Sequence, residues 1–202
     1  MHSGAKLARA LRSISPKFFD GDVARRVGLA GLLTPLRSGG GLSELQFLYA
    51  GRRRNRFTPG GGPKCFYVGE DEDVGSAEVK REALLGSFAK KSTDAAAVFW
   101  ARAVLPNAVL DITDSSVLAT LGTTDAEVHD PDWRELPAPS PAEMLGLAAF
   151  HDGRFAAIKY WSVRVRAVGK SGFCFCIFKT RVLSPCSVAF SSSSLRLSEK
   201  WP

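Results

Sequence analysis

Four residues carry the chemistry this chain can offer: Arg56, Tyr67, Glu78 and Ser162. The first three recur at eleven-residue spacing through NRFTPGGGPKCFYVGEDEDVGSAEVKRE, and the serine follows in KYWSVRV. An arginine fork matches two phosphate oxygens where a lysine supplies only a point charge. A tyrosine ring offers an apolar face with a polar tip, suited to stacking on nicotinamide or adenine. A carboxylate can bond a ribose hydroxyl and stabilise positive charge at an anomeric carbon as a glycosidic bond breaks. The serine hydroxyl can hydrogen-bond a substrate or orient Glu78. Together the four suit binding and cleavage of a dinucleotide. Singly they have plainer readings: a surface arginine within RRRNR, a half-buried strand aromatic and a helix-dipole partner.

Other chemistries lack their motifs. PGGGPK has no Gly-Lys-Ser/Thr ending, so it is not a phosphate-binding P-loop, and no GxGxxG is present. No GxSxG surrounds Ser162, which argues against a serine hydrolase. His129 and His151 are weak candidates for a base. The first lies in a Pro/Asp loop and the second at a helix end, where a cation suits the dipole. Cys65, Cys174, Cys176 and Cys186 include no CxxC pair. They read as free, buried thiols, and no metal site is expected.

The elements that must position these residues follow from periodicity and caps. LQFLYAG reads as the first strand, GRRRNRFTPGGGP as a basic, Gly-rich turn and KCFYVGE as the second strand. The acidic run Glu70–Asp73 leads into a helix over GSAEVKREALLGSFAK, with Glu78 in its first turn and Val79, Leu84, Leu85 and Phe88 along one side. AAVFWARAVL and AVLDITD read as two strands, and Asp114 is placed to cap a short helix over SSVLATLG. HDPDWRELPAPSP is loop-like. Ser140-Pro141-Ala142-Glu143 is a capping box with Pro at the first helical position, opening a helix that stops at Gly153. AAIKYWSVRV, carrying Ser162, and FCFCIFKTRVL then form a closing hairpin. Strands with helices between, lacking regular βαβα alternation, indicate an α+β domain with a mixed or antiparallel sheet and flanking helices.

Length and charge set the frame. The 202 residues are enough for one domain with a substantial core. The net charge of +7 is uneven. Residues 1–56 hold eleven Lys/Arg against three acids, and the remainder sixteen against seventeen. Residues 1–43 therefore read as a basic N-terminal arm ending in the flexible Ser38–Gly41 run, residues 44–190 as the catalytic domain and 191–202 as a tail. Lys6, Arg9, Arg12 and Lys17 among Leu7, Leu11, Ile14 and Phe18 give an amphipathic, acid-free start, a pattern shared by transit peptides and by ordinary basic helices. No apolar run is long enough for a membrane span. A cytoplasmic location is the expectation.

On these residues the chain resembles the RES-domain proteins, named for Arg, Glu and Ser. The block around Arg56, Tyr67 and Glu78 is similar to that family's conserved block. AVLDITD resembles its following strand, IKYWSVR its serine segment and FCFCIFKTRVL its closing strand, over about residues 44–185. Trp161 stands where the family usually has proline, and Tyr49 is followed by Ala50 rather than arginine. The resemblance implies a compact fold similar to ADP-ribosyltransferase toxins. It implies consumption of NAD⁺ as substrate, by hydrolysis or phosphorolysis of the nicotinamide–ribose bond or by ADP-ribosyl transfer to a protein. No resident cofactor is implied, and inorganic phosphate is a candidate co-substrate. Glu78, Arg56, Tyr67 and Ser162 would form the catalytic set, and Arg56, Tyr67 and Ser162 would also bind NAD⁺. The partner implied is a helix-turn-helix antitoxin of a toxin–antitoxin pair. A non-enzymatic module using the basic arm on nucleic acid is the remaining alternative, but no recognised nucleic-acid motif accompanies the charge.

Overall fold

A computed structural model of the chain describes residues 1–28, 49–50, 54–75, 96–182, 186–190 and 196–198. Helix α1 (Gly4–Ser13) comes first, followed by strands β1 (Lys17–Gly28), β2 (Tyr49–Ala50), β3 (Cys65–Gly69) and β4 (Ala96–Asp111). Helices α2 (Ser115–Thr120), α3 (Asp125–Val128) and α4 (Pro141–Asp152) precede β5 (Ala157–Trp161). A one-turn helix α5 (Val163–Arg166), strand β6 (Phe173–Phe178), a 3-10 turn (Lys179–Arg181), β7 (Ser187–Phe190) and β8 (Arg196–Ser198) complete the order. The fold is α+β with a mixed sheet: β4 and β5 run parallel, and the other pairings are antiparallel.

The sheet curls back on itself. Its path runs β1-β3-β6-β5-β4, and β1 also pairs with β4, so five strands form a closed circuit. Side chains alternate across the strands, which separates two cores. Phe66, Val68, Phe175 and Ile177 fill the inside with Val23, Ala101, Ala103, Leu105 and Val109. Cys65, Cys174, Cys176, Phe178, Ile158 and Tyr160 point outward into a second core covered by the helices. Small alanines on β4 let the circuit close around the rings of Phe66 and Phe175 (β1 adds Phe19, 4.4 Å from Phe175 by ring centroids).

Several boundaries differ from the sequence expectation. The basic start is not an appended arm. Leu7, Leu11 and Ile14 are buried against the helix layer, and Arg154 caps α1 by donating to the carbonyls of Leu11 (2.8 Å) and Ile14 (3.3 Å). Strand β1 then pairs with β4 from Lys17↔Val109 to Gly28↔Ala96. Its partner lies some eighty residues away, and the Gly and Asp residues within it hide its strand character, because β-propensity depends on context. The tail also contributes: β8 pairs with β4. The two strands expected over 96–105 and 108–114 are one strand, continuing through Pro106 and Asn107. A register shift against β1 absorbs those two residues, with Asn107 at φ 48°. The Ser38–Gly41 boundary and most of the expected first strand lie outside the described residues.

Local signals for the helices fare better. Asp114 accepts from the Ser116 N–H at the start of α2. The Ser140/Glu143 capping box opens α4, and Gly153 closes it at φ 85°. The four cysteines are free.

Candidate active site

Arg56 sits in a tight turn closed by reciprocal backbone hydrogen bonds between Asn55 and Thr58 (2.8 and 3.1 Å). Two features fix this turn to the body. The Tyr67 hydroxyl, on the outward face of β3, accepts from the Phe57 N–H at 3.2 Å and lies 3.5 Å from Thr58 Oγ1. From the other side α4 packs so closely that a Cβ at Gly146 would overlap the Phe57 carbonyl. Phe57 is fully buried, its ring edge-on to Tyr160 at 4.8 Å. Loss of water around the Tyr67 phenol, then the nearby Cys176 and Cys65 thiols, push its pKa up, so it stays a neutral hydrogen-bonding group.

The guanidinium of Arg56 is itself buried. Its Nη1 donates to the carbonyls of Asp130 (3.0 Å) and Val128 (3.3 Å). Arg54, two residues earlier, makes a bidentate pair with the fully buried Glu143 at 2.7 and 2.8 Å, and donates to the carbonyls of Arg134 and Leu136. Burial alone would raise the Glu143 carboxyl. The Arg54 and Ser140 hydrogen bonds outweigh it and hold the pKa below the ordinary glutamate value. Glu143 thus serves α4 as its capping-box carboxylate and the arginine turn as its anchor. The buried indole of Trp133 lies among the guanidinium groups of Arg134 (5.0 Å), Arg54 (5.6 Å) and Arg56 (5.8 Å).

Ser162 is not on a strand. It follows β5 and is the N-cap of α5, its fully buried Oγ accepting from the Val165 N–H at 3.3 Å. Its own N–H donates to Gly172 at 2.9 Å. His129 links this region to Arg56. Its Nε2 accepts the Trp161 N–H at 3.1 Å, and the carbonyls on either side of it in the chain hold Arg56. Arg56, Tyr67 and Ser162 are thus linked on the helix-covered side of the sheet, through the Phe57 N–H on one hand and through residues 128–130 and Trp161 on the other.

Glu78 lies outside the described residues, as do the apolar positions of its expected helix. Upstream, residues 72–75 are helical, with Asp71 Oδ1 accepting from the Val74 N–H at 2.8 Å. Glu72 and Asp73 of the acidic run are therefore themselves helical. Neighbouring Glu70 accepts from the Phe173 N–H at 3.1 Å.

Sequence reasoning missed Arg54, Glu143 and Trp133 as supports of the turn, and gave His129 little weight. The only signals were a run of arginines and a capping-box glutamate, and neither points to a partner eighty-nine residues away. His151 is exposed at the end of α4. No group of His, Cys, Asp and Glu suited to a metal occurs among the described residues.

A RES-domain family model matches residues 34–197. The chain belongs to the RES-domain family. The match extends beyond both ends of the stretch from which the resemblance was read. A search of the curated proteins finds no match. Among solved structures, the chain is similar to one in the crystal structure of the M. tuberculosis MbcT–MbcA toxin–antitoxin complex. The TM-score is 0.67 at 14% identity, over 96% of this chain and 93% of that one. At that identity the likeness is one of fold. Its extent agrees with the incorporation of α1 and β1 into the body of this RES protein. No helix among the described residues is long and apolar enough to cross a membrane.

Proposed function

We propose that this RES-domain protein is an NAD⁺-consuming enzyme that cleaves the nicotinamide–ribose bond, and that it is the toxin of a toxin–antitoxin pair. The observation that carries the reading is the hydrogen-bonded linkage of the Arg56 turn to Tyr67 and, through His129, to the Ser162 cap on one side of the sheet, in a chain with RES-family membership. In this reading Arg56 grips the diphosphate. Tyr67 fixes the arginine turn through its hydroxyl and packs its ring towards the nicotinamide end. Glu78 stabilises the oxocarbenium-like ribose as the C1′–N bond breaks and its electron pair leaves with nicotinamide. An oxygen of water or phosphate then bonds to C1′ and loses its proton. Ser162 holds a substrate hydroxyl or amide, directly or by fixing the end of β5.

An antitoxin protein, of helix-turn-helix type, is the proposed partner. Support comes from the toxin–antitoxin complex to which the structurally similar chain belongs. ADP-ribosyl transfer to a protein would use the same site.

The test follows NAD⁺ loss by purified protein with and without phosphate, beside Glu78→Ala. We expect loss in the parent and none in the variant, with both unfolding at similar temperatures. An equal rate in the variant would remove Glu78 from the mechanism. Label from NAD⁺ fixed on a macromolecule, rather than free ADP-ribose or its phosphate, would favour transfer.

A further inference from the structure

We infer that His129 is a positioning residue that couples the Arg56 turn to the Ser162 cap, and that it does so only as the neutral imidazole. The inference rests on the proposed reading for its effect on catalysis, but its structural part stands on geometry alone. Residues 128–130 grip both halves of the candidate site. The carbonyls of Val128 and Asp130 receive Arg56 Nη1. The ring between them is buried, and its Nε2 accepts the N–H of Trp161, the residue immediately before Ser162. One tripeptide thus holds the arginine with its main chain and the strand end just before the serine with its side chain.

A ring nitrogen that accepts a hydrogen bond carries no proton, so the neutral ring bears its hydrogen on Nδ1. That atom lies 2.9 Å from Asp125 Oδ1, although not aligned as a hydrogen bond. Protonation would place a hydrogen on Nε2 directly against the Trp161 N–H. Two donors would then face each other in a buried site, and the Trp161 amide would lose its acceptor. The end of β5 would have to retreat, taking Ser162 with it.

The groups facing the ring set when this happens. Asp125, on α3, favours the charged form, and Arg166 from α5 pairs with that carboxylate at 2.9 Å. Arg56, from the turn, opposes it, and Tyr160 of β5 stacks at 6.3 Å. Burial is the largest influence and, with Arg56, outweighs Asp125, so the pKa falls below the ordinary histidine value. The sign follows. The coupled arrangement is intact above the ordinary histidine range and is lost as pH falls through the lowered value.

The experiment titrates the ¹⁵N-labelled full chain, following the His129 ring nitrogens with the Trp161 and Ser162 amides. Near pH 7.5 (about one unit above the ordinary value) we expect Nε2 to show the shift of an unprotonated nitrogen. Both amides should move together with the ring at a midpoint below 6.5, the ordinary histidine value. His129→Gln, whose amide oxygen can take the Trp161 N–H, should abolish that joint movement. In NAD⁺ consumption the parent should lose about tenfold in kcat per pH unit on the acid side. His129→Gln should keep kcat within about threefold at neutral pH and lose that acid dependence. Amides that ignore His129 protonation, or an acid limb that survives in His129→Gln, would overturn the inference. A parent that consumes no NAD⁺ at any pH would refute the enzyme reading instead, and the amide titration in the parent would still decide the coupling.

Discussion

The two faces of the curled sheet are made of different materials. Among the described residues, the inside holds a cluster of Val23, Phe66, Leu105, Phe175, Ile177 and small alanines. The helix-covered side also has a continuous apolar core, yet Arg56, Thr58, His129, Glu143 and Ser162 are buried along it. Burying a polar group costs free energy unless a partner replaces water, and burying a charge costs far more. The inner face is therefore explained by stability alone. The outer face carries a desolvation cost that is met by specific partners: Glu143 with Arg54 and Ser140, Arg56 with two carbonyls, His129 with the Trp161 N–H. Buried polar networks fix a specific geometry, in structural roles and at functional sites alike.

The contrast predicts separable effects. Leu105→Ala, on the inside, should cost about 3 kcal/mol of stability in denaturant unfolding, within the range for a fully buried leucine. NAD⁺ turnover per folded molecule should stay near the parental value. A large loss of turnover at full folding would break the division of labour between the faces.

A smaller effect on stability is expected from Glu143→Gln. It keeps the shape of the capping box but leaves Arg54 without its carboxylate, at a cost of about 2 kcal/mol. This change should also alter the pH dependence. Because the Glu143 carboxyl is held below its ordinary value, its contribution is present above that value and lost as pH falls through the lowered one. Unfolding measured from neutral pH downward should show the parent losing stability faster than the variant. Parallel curves would mean that the Arg54–Glu143 pair is not what ties the turn to α4.

How much of this was legible in the sequence depended on how local the cause was. The α4 cap was readable because Ser140, Pro141 and Glu143 act within one turn. Strands β3 and β6 were readable from their short runs of aromatic and β-branched residues. Strand β1 was hidden, since KFFDGDVARRVG gains its strand character from β4. Asp20 and Asp22 are explained only by Arg102 across the pairing, at 2.7 and 3.6 Å. The role of Ser162 was misplaced for a related reason. SVRV alternates like a strand, and only the Gly172 carbonyl and the Val165 N–H show that the chain has turned into a helix. Residue type pointed to Arg56 and Tyr67, while their supports at Glu143, Trp133 and His129 arise from contacts across most of the chain.

The sharpest test concerns the two neighbouring arginines, because Arg54 is matched to Glu143 whereas Arg56 is assigned to the diphosphate. NAD⁺ affinity would be measured by calorimetry in a Glu78→Ala background, chosen to remove cleavage, with and without Arg56→Lys. The account predicts binding in the background protein and a loss of about tenfold or more with the lysine, since a point charge replaces a two-oxygen fork. Equal affinity in the two proteins, both folded, would contradict the assignment of Arg56 to the substrate.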